Sequence, residues 1–194
     1  QTKLSGIDIQ DFHDVVWYRR SFDLPEDMKG KRIILHFGAV DYECDVWVND
    51  NHAIHHVGGH IGFEVEITDF IKEGENIIIV RAEDDAFDME MPRGKQFWKE
   101  KSEGIFYTRT TGIWQTVWIE AVEDTYLSRI WLTPDLDNSA VDIEYEIDGN
   151  MDNKYLKTVI SFEGVELAEY TVSEKTNRGK FRGVIDRQLL IRQN

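Results

Sequence analysis

The chain has a single cysteine and lacks long apolar runs. Because Cys44 is the one cysteine among 194 residues, no disulfide can form within the chain. Its place in an apolar run predicts a buried thiol. No apolar run approaches the roughly 18 residues that cross a bilayer, and the first residues do not combine a basic end with an apolar stretch as a secretory signal does. The sequence therefore predicts no membrane partner and leaves the cellular compartment open.

Basic residues are also scarce. The chain has 22 Lys and Arg against 37 Asp and Glu, so its formal net charge is −15. Such a charge repels phosphate backbones and anionic lipids. The six tryptophans could stack on bases, but no basic groove accompanies them to follow a nucleic-acid strand. Nucleic acid is therefore excluded as an expected partner.

Motifs of cofactor and covalent chemistry are missing from the sequence as well. It contains no Gly-rich phosphate loop, no nucleophile elbow and no convincing Ser/His/Asp arrangement, so we expect no cofactor. His52, His55, His56 and His60 lie within nine residues, but alternate side chains of a strand point to opposite faces. Zinc sites usually need three or four ligands at set spacings. We therefore expect hydrogen-bonded surface histidines and no metal.

What the chain does contain is a succession of short strand patterns. Residues 63–67 and 141–148 alternate between apolar and acidic, which predicts strands with one face on a core. Residues 33–37 and 77–80 are almost continuously apolar and predict central strands that are covered on both faces. Asn, Asp and Gly at 49–51 and 58–59 predict turns. Further strands are predicted at residues 15–22, 45–48, 54–57, 116–122 and 127–133.

Helical patterns are nearly absent. Residues 68–73 predict one or two turns, with Thr68 or Asp69 as the cap and Gly74 as the end. Many short strands with regular turn signals indicate an all-β sandwich or barrel.

A domain boundary is predicted near residue 124, which gives domains at 1–124 and 125–194. The second stretch has five strand-like runs, whereas an immunoglobulin-like sandwich needs about seven strands and about 100 residues. We expect an incomplete second sandwich with an open sheet edge, which leaves pairing into a homo-oligomer possible. The runs are residues 126–133, 140–148, 155–162, 165–172 and 180–191.

The segment 83–104 is long and non-periodic, and it mixes aromatic with charged residues. Aromatic rings can cover the C–H face of a pyranose while charged and amide side chains orient its hydroxyls. Alternatively, the aromatics cap the sandwich core and the charges are solvated. Its carboxylates at 83–90 could serve glycoside hydrolysis or calcium binding, but a solvated acidic loop is the simpler interpretation.

Several blocks together resemble one family. WYRRSF at 17–22, FGAV at 37–40, VWVN at 46–49, VGGH at 57–60 and FEVEITD at 63–69 resemble the N-terminal sugar-binding domain of family 2 glycoside hydrolases. That family is the β-galactosidase, β-glucuronidase and β-mannosidase group. The resemblance spans residues 14–122 and continues through GEN at 74–76, VR at 80–81, PRGKQ at 92–96 and TGIWQ at 111–115. Residues 125–194 are similar to the start of the immunoglobulin-like domain that follows.

The resemblance implies a galactose-binding-like jelly-roll β-sandwich followed by a partial immunoglobulin-like β-sandwich. In the parent enzyme, a retaining exo-β-glycosidase, the jelly roll packs against a catalytic (β/α)8 barrel that supplies two glutamates. A barrel alone takes about 250 residues, so the resemblance implies that this chain carries no catalytic residue and is inactive by itself. Its partners are then a β-linked glycoside and the barrel.

The resemblance also implies roles for single residues. Arg93, Lys95 and Gln96 correspond to a loop at the rim of the sugar site, with Asp84 and Trp98 as helpers. Structural roles are expected for other motif residues: Gly112 for a tight turn, Trp114 and Trp118 for the core, and Arg19 or Arg81 for ties to carboxylates.

Three functions stay open at this point. The chain could be the non-catalytic front of a β-galactosidase-like hydrolase, a free-standing carbohydrate-binding module, or a structural sandwich that mediates oligomer contacts. The sequence does not indicate which sugar is recognised.

Overall fold

A computed structural model describes residues 13–99, 101–173 and 176–185. Within these ranges the chain forms sixteen strands and two three-residue 3-10 helices, Glu26–Met28 and Thr68–Phe70. The first eleven strands are β1 Val15–Asp23, β2 Arg32–Phe37, β3 Val40–Asp41, β4 Glu43–Val48, β5 Asn51–Val57, β6 Phe63–Glu66, β7 Glu75–Glu83, β8 Gln96–Phe97, β9 Tyr107–Thr108, β10 Gly112–Ile113 and β11 Val117–Val122. The last five are β12 Tyr126–Asp135, β13 Ala140–Asp148, β14 Leu156–Phe162, β15 Val165–Val172 and β16 Arg178–Val184.

These elements confirm the predicted all-β class. The chain divides into two compact units, one ending at Ala121 and the other beginning at Val122. The described part contains no helix that is long and apolar enough to cross a membrane.

The first unit is a sandwich of two sheets, with strand orders β1-β7-β4-β5 and β11-β2-β6. Apolar residues of β2, β4 and β7 meet in a single core, in which Leu35, Val46 and Val80 are buried. As predicted, β2 and β7 are central strands of their sheets. The predicted turn between β4 and β5 is tight, because Asn49 and Asp50 both adopt positive φ, at 47° and 68°.

The predicted helix at 68–73 is wrong in length, since only three residues form a 3-10 turn. The Thr68 hydroxyl does not cap that turn. Instead it accepts a hydrogen bond from the Ile33 N–H at 2.9 Å and donates one to Glu66 Oε1 at 2.8 Å. Strand β2 therefore uses the side-chain oxygen that a helix would have needed for its first turn.

The second unit contains a three-stranded sheet, β12-β13-β16, and a hairpin, β14-β15. The inward residues of β13 follow the predicted alternation, since Ile143, Tyr145 and Ile147 are buried. Strand β16 ends at Val184, and residues 186–191 of the predicted strand lie outside the described residues. The fold is thus a jelly-roll β-sandwich followed by a partial immunoglobulin-like β-sandwich.

Candidate functional site

The segment after β7 leaves the sheet at Glu83 and is anchored again at β8. Strand β8 pairs in parallel with β9, and the Tyr107 N–H donates to the Lys95 carbonyl at 2.8 Å. The Phe97 ring is only 5% exposed and stacks on Phe106 with 5.1 Å between ring centroids. Burial of this ring pair anchors the middle of the segment, so the residues on either side have defined positions.

Gln96 links the segment to the sandwich through both ends of its amide. Its Nε2 donates to Asp41 Oδ2 at 2.6 Å, and its Oε1 accepts from the Thr110 N–H at 2.6 Å. A primary amide has two donor hydrogens and an acceptor oxygen, and here each end has a protein partner. Gln96 therefore fixes the segment in place.

Arg93 is held in a similar way. Its guanidinium donates to the Ala86 carbonyl at 2.5 Å and also to the Asp88 carbonyl. Both acceptors belong to the turn that precedes the arginine, so the side chain stabilises the conformation of its own segment.

Two carboxyl groups lie close to Gln96 and Arg109. Asp84 and Asp41 are both buried. Burial raises the pKa of Asp84 to about 6, the negative charge of Asp41 adds to the rise, and the Arg109 guanidinium and the Thr111 hydroxyl oppose it. Burial also raises the pKa of Asp41, against the hydrogen bond from Gln96. The site thus holds two carboxyl groups in an environment that disfavours their charged forms.

Arg109 brings positive charge to the same place. Its side chain is buried and its guanidinium donates to Asp14 Oδ1 at 2.5 Å. The carbonyl of Asp14 in turn accepts from the Asp84 N–H at 2.8 Å. Arg109 therefore joins the start of β1 to the segment and moderates the negative charge around Asp84.

Lys95 and Trp98 are the predicted site residues that face solvent. Trp98 is 41% exposed, with its ring packed edge-to-face against Phe106 at 5.8 Å. The ammonium of Lys95 lies 6.0 Å from the centroid of the Tyr107 ring. An exposed indole and an exposed ammonium on the same segment are suited to a polar ligand with an apolar face.

The cavity at this place is very small. Its volume is about 10 Å³, and it is lined by Asp84, Asp85, Ala86, Arg93, Gln96, Phe97, Trp98 and Arg109. That is room for about one water molecule, whereas small-molecule sites usually occupy about 300–1,000 Å³. The described residues at this place therefore do not enclose a sugar.

Sequence reasoning missed two residues of this cluster, Asp41 and Arg109. A signal existed for Asp41, because a carboxylate directly after the apolar stretch 37–40 needs a polar partner once it is buried. The burial of Arg109 was harder to predict from the sequence, since its partner Asp14 is 95 residues away. Trp114 and Trp118 were predicted in the core and are 47% and 45% exposed; Trp114 Nε1 instead donates to the Gly59 carbonyl at 2.7 Å. Arg81 pairs with Glu83 of its own strand.

The histidine cluster is built around Asp45. A β-bulge between Val46 and Trp47 changes the register of β4 with β5, so His52 and His55 share a face, contrary to a simple alternation. Asp45 Oδ1 lies 2.8 Å from His52 Nε2 and 3.2 Å from His55 Nδ1. Among the residues that the structure describes, no three His, Cys, Asp or Glu side chains are grouped to hold a metal ion.

Replacing Gln96 by alanine should lower the free energy of unfolding by about 1–3 kcal/mol, because the buried Asp41 carboxyl loses its partner. Urea unfolding, followed by tryptophan fluorescence, measures this change. Lys95→Ala is the matched control on the neighbouring exposed side chain, and a change within about 0.5 kcal/mol is expected there. Equal effects of the two substitutions would contradict the assigned role of Gln96.

The fold and this anchored segment define a β-sandwich domain with a buried polar cluster beside the segment. The family model described as "Glycosyl hydrolases family 2, sugar binding domain" matches residues 3–106, just over half of the chain. The chain therefore belongs to family 2 of the glycosyl hydrolases.

Individual relatives agree with this assignment. A β-galactosidase of Thermoanaerobacter pseudethanolicus is 32% identical over 80% of this chain and 21% of its own length. A β-glucuronidase of Formosa agariphila is 30% identical over 58% of this chain and 11% of its own length. The structure of a β-glucuronidase from an uncultured Clostridium species covers 89% of this chain and 30% of its own, with a TM-score of 0.65 and 24% identity, and so supports the fold. This chain thus spans about a fifth or less of the length of the two curated relatives.

Proposed function

We propose that the chain forms the non-catalytic N-terminal part of a retaining exo-β-glycosidase of the β-galactosidase or β-glucuronidase type. The match of the family's sugar-binding model to residues 3–106 carries this proposal. The shares of the relatives' lengths that the chain covers support it further, because a (β/α)8 barrel of about 250 residues exceeds the 194 residues of this chain. The domains we assign are a jelly roll at 1–124 and an incomplete immunoglobulin-like sandwich at 125–194.

The segment around residues 93–98 then contributes to the rim of the sugar site. Lys95 and Trp98 contact the sugar or its aglycone, since both are exposed. Arg93, Gln96 and Asp84 hold the segment in position through the contacts described above. The 10 Å³ cavity supports the view that a second wall, from the catalytic barrel, is needed to enclose the substrate.

Enzyme kinetics and thermal unfolding of the full product of the gene distinguish a role at the rim of the sugar site from a purely structural role. Changing Lys95 and Trp98 together to alanine should lower kcat/KM for an aryl β-galactoside or β-glucuronide by about tenfold, equivalent to about 1.4 kcal/mol of transition-state stabilisation. The Tm should stay within about 2 °C of the wild type, because both side chains are exposed.

Lys72→Ala serves as the control, because Lys72 is also exposed and lies in a different turn. Unchanged kcat/KM in the double variant would contradict a role at the rim. A fall in Tm with unchanged kinetics would instead favour a purely structural sandwich.

A further inference from the structure

The second unit contains a shallow cleft with the size of a ligand site. Its volume is about 340 Å³, which lies within the usual range for small-molecule pockets. The lining residues are Trp131, Thr133, Glu144, Tyr145, Glu146, Arg178 and Gly179.

Strand register explains why these side chains meet. Trp131 of β12 is opposite Glu144 of β13, and Glu144 is opposite Lys180 of β16. Directly opposed residues of antiparallel strands share a face of the sheet. By the same rule Glu146 lies between Arg129 and Arg178, so one face carries an indole and alternating rows of acids and bases.

The charges on this face are balanced. Lys180 Nζ lies 2.7 Å from Glu144 Oε1, and Arg178 pairs with Glu146. With Arg129 beside Glu146, and with Asp135 and Asp142 both paired to Arg182, this face carries four acids and four bases, so neither an anion nor a cation gains a net attraction. Paired carboxylates still have lone pairs that accept hydrogen bonds, and guanidinium and hydroxyl groups can donate them. The cleft therefore offers donors and acceptors to an uncharged polar ligand.

Trp131 supplies the apolar part of the cleft. Its indole is 47% exposed, although it lies beside ion pairs that keep the surrounding surface polar. An aromatic face next to fixed donors and acceptors is the combination that packs against the C–H face of a pyranose and orients its hydroxyls.

Two other cavities among the described residues lack this combination. The cavity beside Asp84 is about 10 Å³. A larger cavity of about 450 Å³, between Asp23 and Gly74 in the first unit, has no aromatic residue in its lining. The cleft beside Trp131 has both a volume sufficient for a small ligand and an exposed aromatic ring.

We propose that this cleft binds one neutral pyranose unit of a glycan. The sugar packs on the indole of Trp131, and its hydroxyls bond to Glu144, Thr133 and Arg178. All of these residues belong to the second unit, so the proposal does not depend on the rim segment at 93–98. The affinity should be weak, with Kd of roughly 1 mM, about −4 kcal/mol, because a shallow cleft covers only one side of the ring.

NMR titration of the 194-residue chain tests this directly. The probes are cellobiose and β-1,4-galactobiose, with tetramethylammonium as a cation that can also pack on an aromatic ring. Chemical-shift changes should appear at the Trp131 indole N–H with either or both disaccharides and not with the cation. The proposal would be overturned if neither disaccharide changed this signal at a concentration 50-fold above the expected Kd of roughly 1 mM. A change with the cation alone would also overturn it.

Variants then locate the binding. Trp131→Ala should weaken disaccharide binding at least tenfold, which is about 1.4 kcal/mol, and Glu144→Gln should weaken it severalfold. Trp131→Phe keeps a ring on the same strand, so it should bind within about fivefold of the wild type, or about 1 kcal/mol, even if the alanine variant folds poorly.

Trp118→Ala is the matched control, because Trp118 is a half-exposed tryptophan of the first unit and its removal should leave binding unchanged. The proposal would be refuted if Trp131→Phe and Glu144→Gln both kept full binding while Trp98→Ala lost it. That result would place the sugar on the rim segment.

Discussion

Replacing Gly112 by alanine is expected to lower the free energy of unfolding of the first unit by about 3–5 kcal/mol, as the sum of backbone strain and overpacking. Gly112 is buried, has a φ of +95° and pairs with Asp41 across β10 and β3. A Cβ at this position would lie 2.2 Å from the Tyr18 hydroxyl and 2.8 Å from Val16 Cγ2. That hydroxyl also accepts a hydrogen bond from the Ile113 N–H at 3.2 Å, so Tyr18 cannot move aside without losing it.

Gly94 provides the matched control for the backbone contribution. Its φ is +58°, and a Cβ there meets nothing within 4 Å. Gly94→Ala should therefore cost only the strain of a left-handed residue, about 1–2 kcal/mol. Urea unfolding followed by tryptophan fluorescence suits both variants, because five of the six tryptophans precede residue 122. Equal losses in the two variants would contradict the close packing of Gly112 against Tyr18.

Asp84→Asn is expected to change how stability depends on pH. The folded-state pKa of Asp84 is raised from 3.8 to about 6, mainly by burial, so the folded state binds the proton more tightly than the unfolded state. The stabilising contribution of the protonated group is fully present below pH 3.8 and is lost as the pH rises through 6. A difference of about two pKa units corresponds to at most about 3 kcal/mol.

The measurement is the free energy of unfolding of wild type and variant from pH 4 to pH 8. Asparagine stays neutral, so the stability of the variant relative to wild type should rise by up to about 3 kcal/mol between pH 4 and pH 7. The exposed neighbour Asp85 accepts a local hydrogen bond from the Phe87 N–H, which asparagine can also accept. Asp85→Asn should therefore show no such rise, and a parallel pH profile for both variants would contradict the burial of Asp84.

Most of the fold could be predicted because the strands carry local signals. The run predicted at 140–148 gave the bounds of β13 correctly, and the run at 165–172 gave those of β15. Errors arose where a tertiary contact competes with a local preference, as at Thr68, whose hydroxyl bonds β2. The position of His52 beside His55 was also not predictable from the sequence. A single bulged residue moves the side chains that follow it to the opposite face of the sheet.

The candidate site could be predicted only in part from the sequence. The block at 92–96 was predicted to be a feature of the family, and the structure divides its residues into Arg93 and Gln96, bonded within the protein, and Lys95, exposed to solvent. That division depends on Asp41, which lies 55 residues from Gln96 in sequence. A local sequence pattern does not predict a contact over such a distance. The fold therefore determines whether the Gln96 amide bonds to a carboxylate or to a sugar.

Turnover of an aryl β-galactoside and an aryl β-glucuronide, by this chain and by the full product of its gene in parallel, tests the central claim most directly. We expect hydrolysis by the full product and none by the 194-residue chain, because the proposed function places the acid and the nucleophile in another domain. Hydrolysis by the purified chain alone, abolished by Asp84→Asn, would contradict a non-catalytic role.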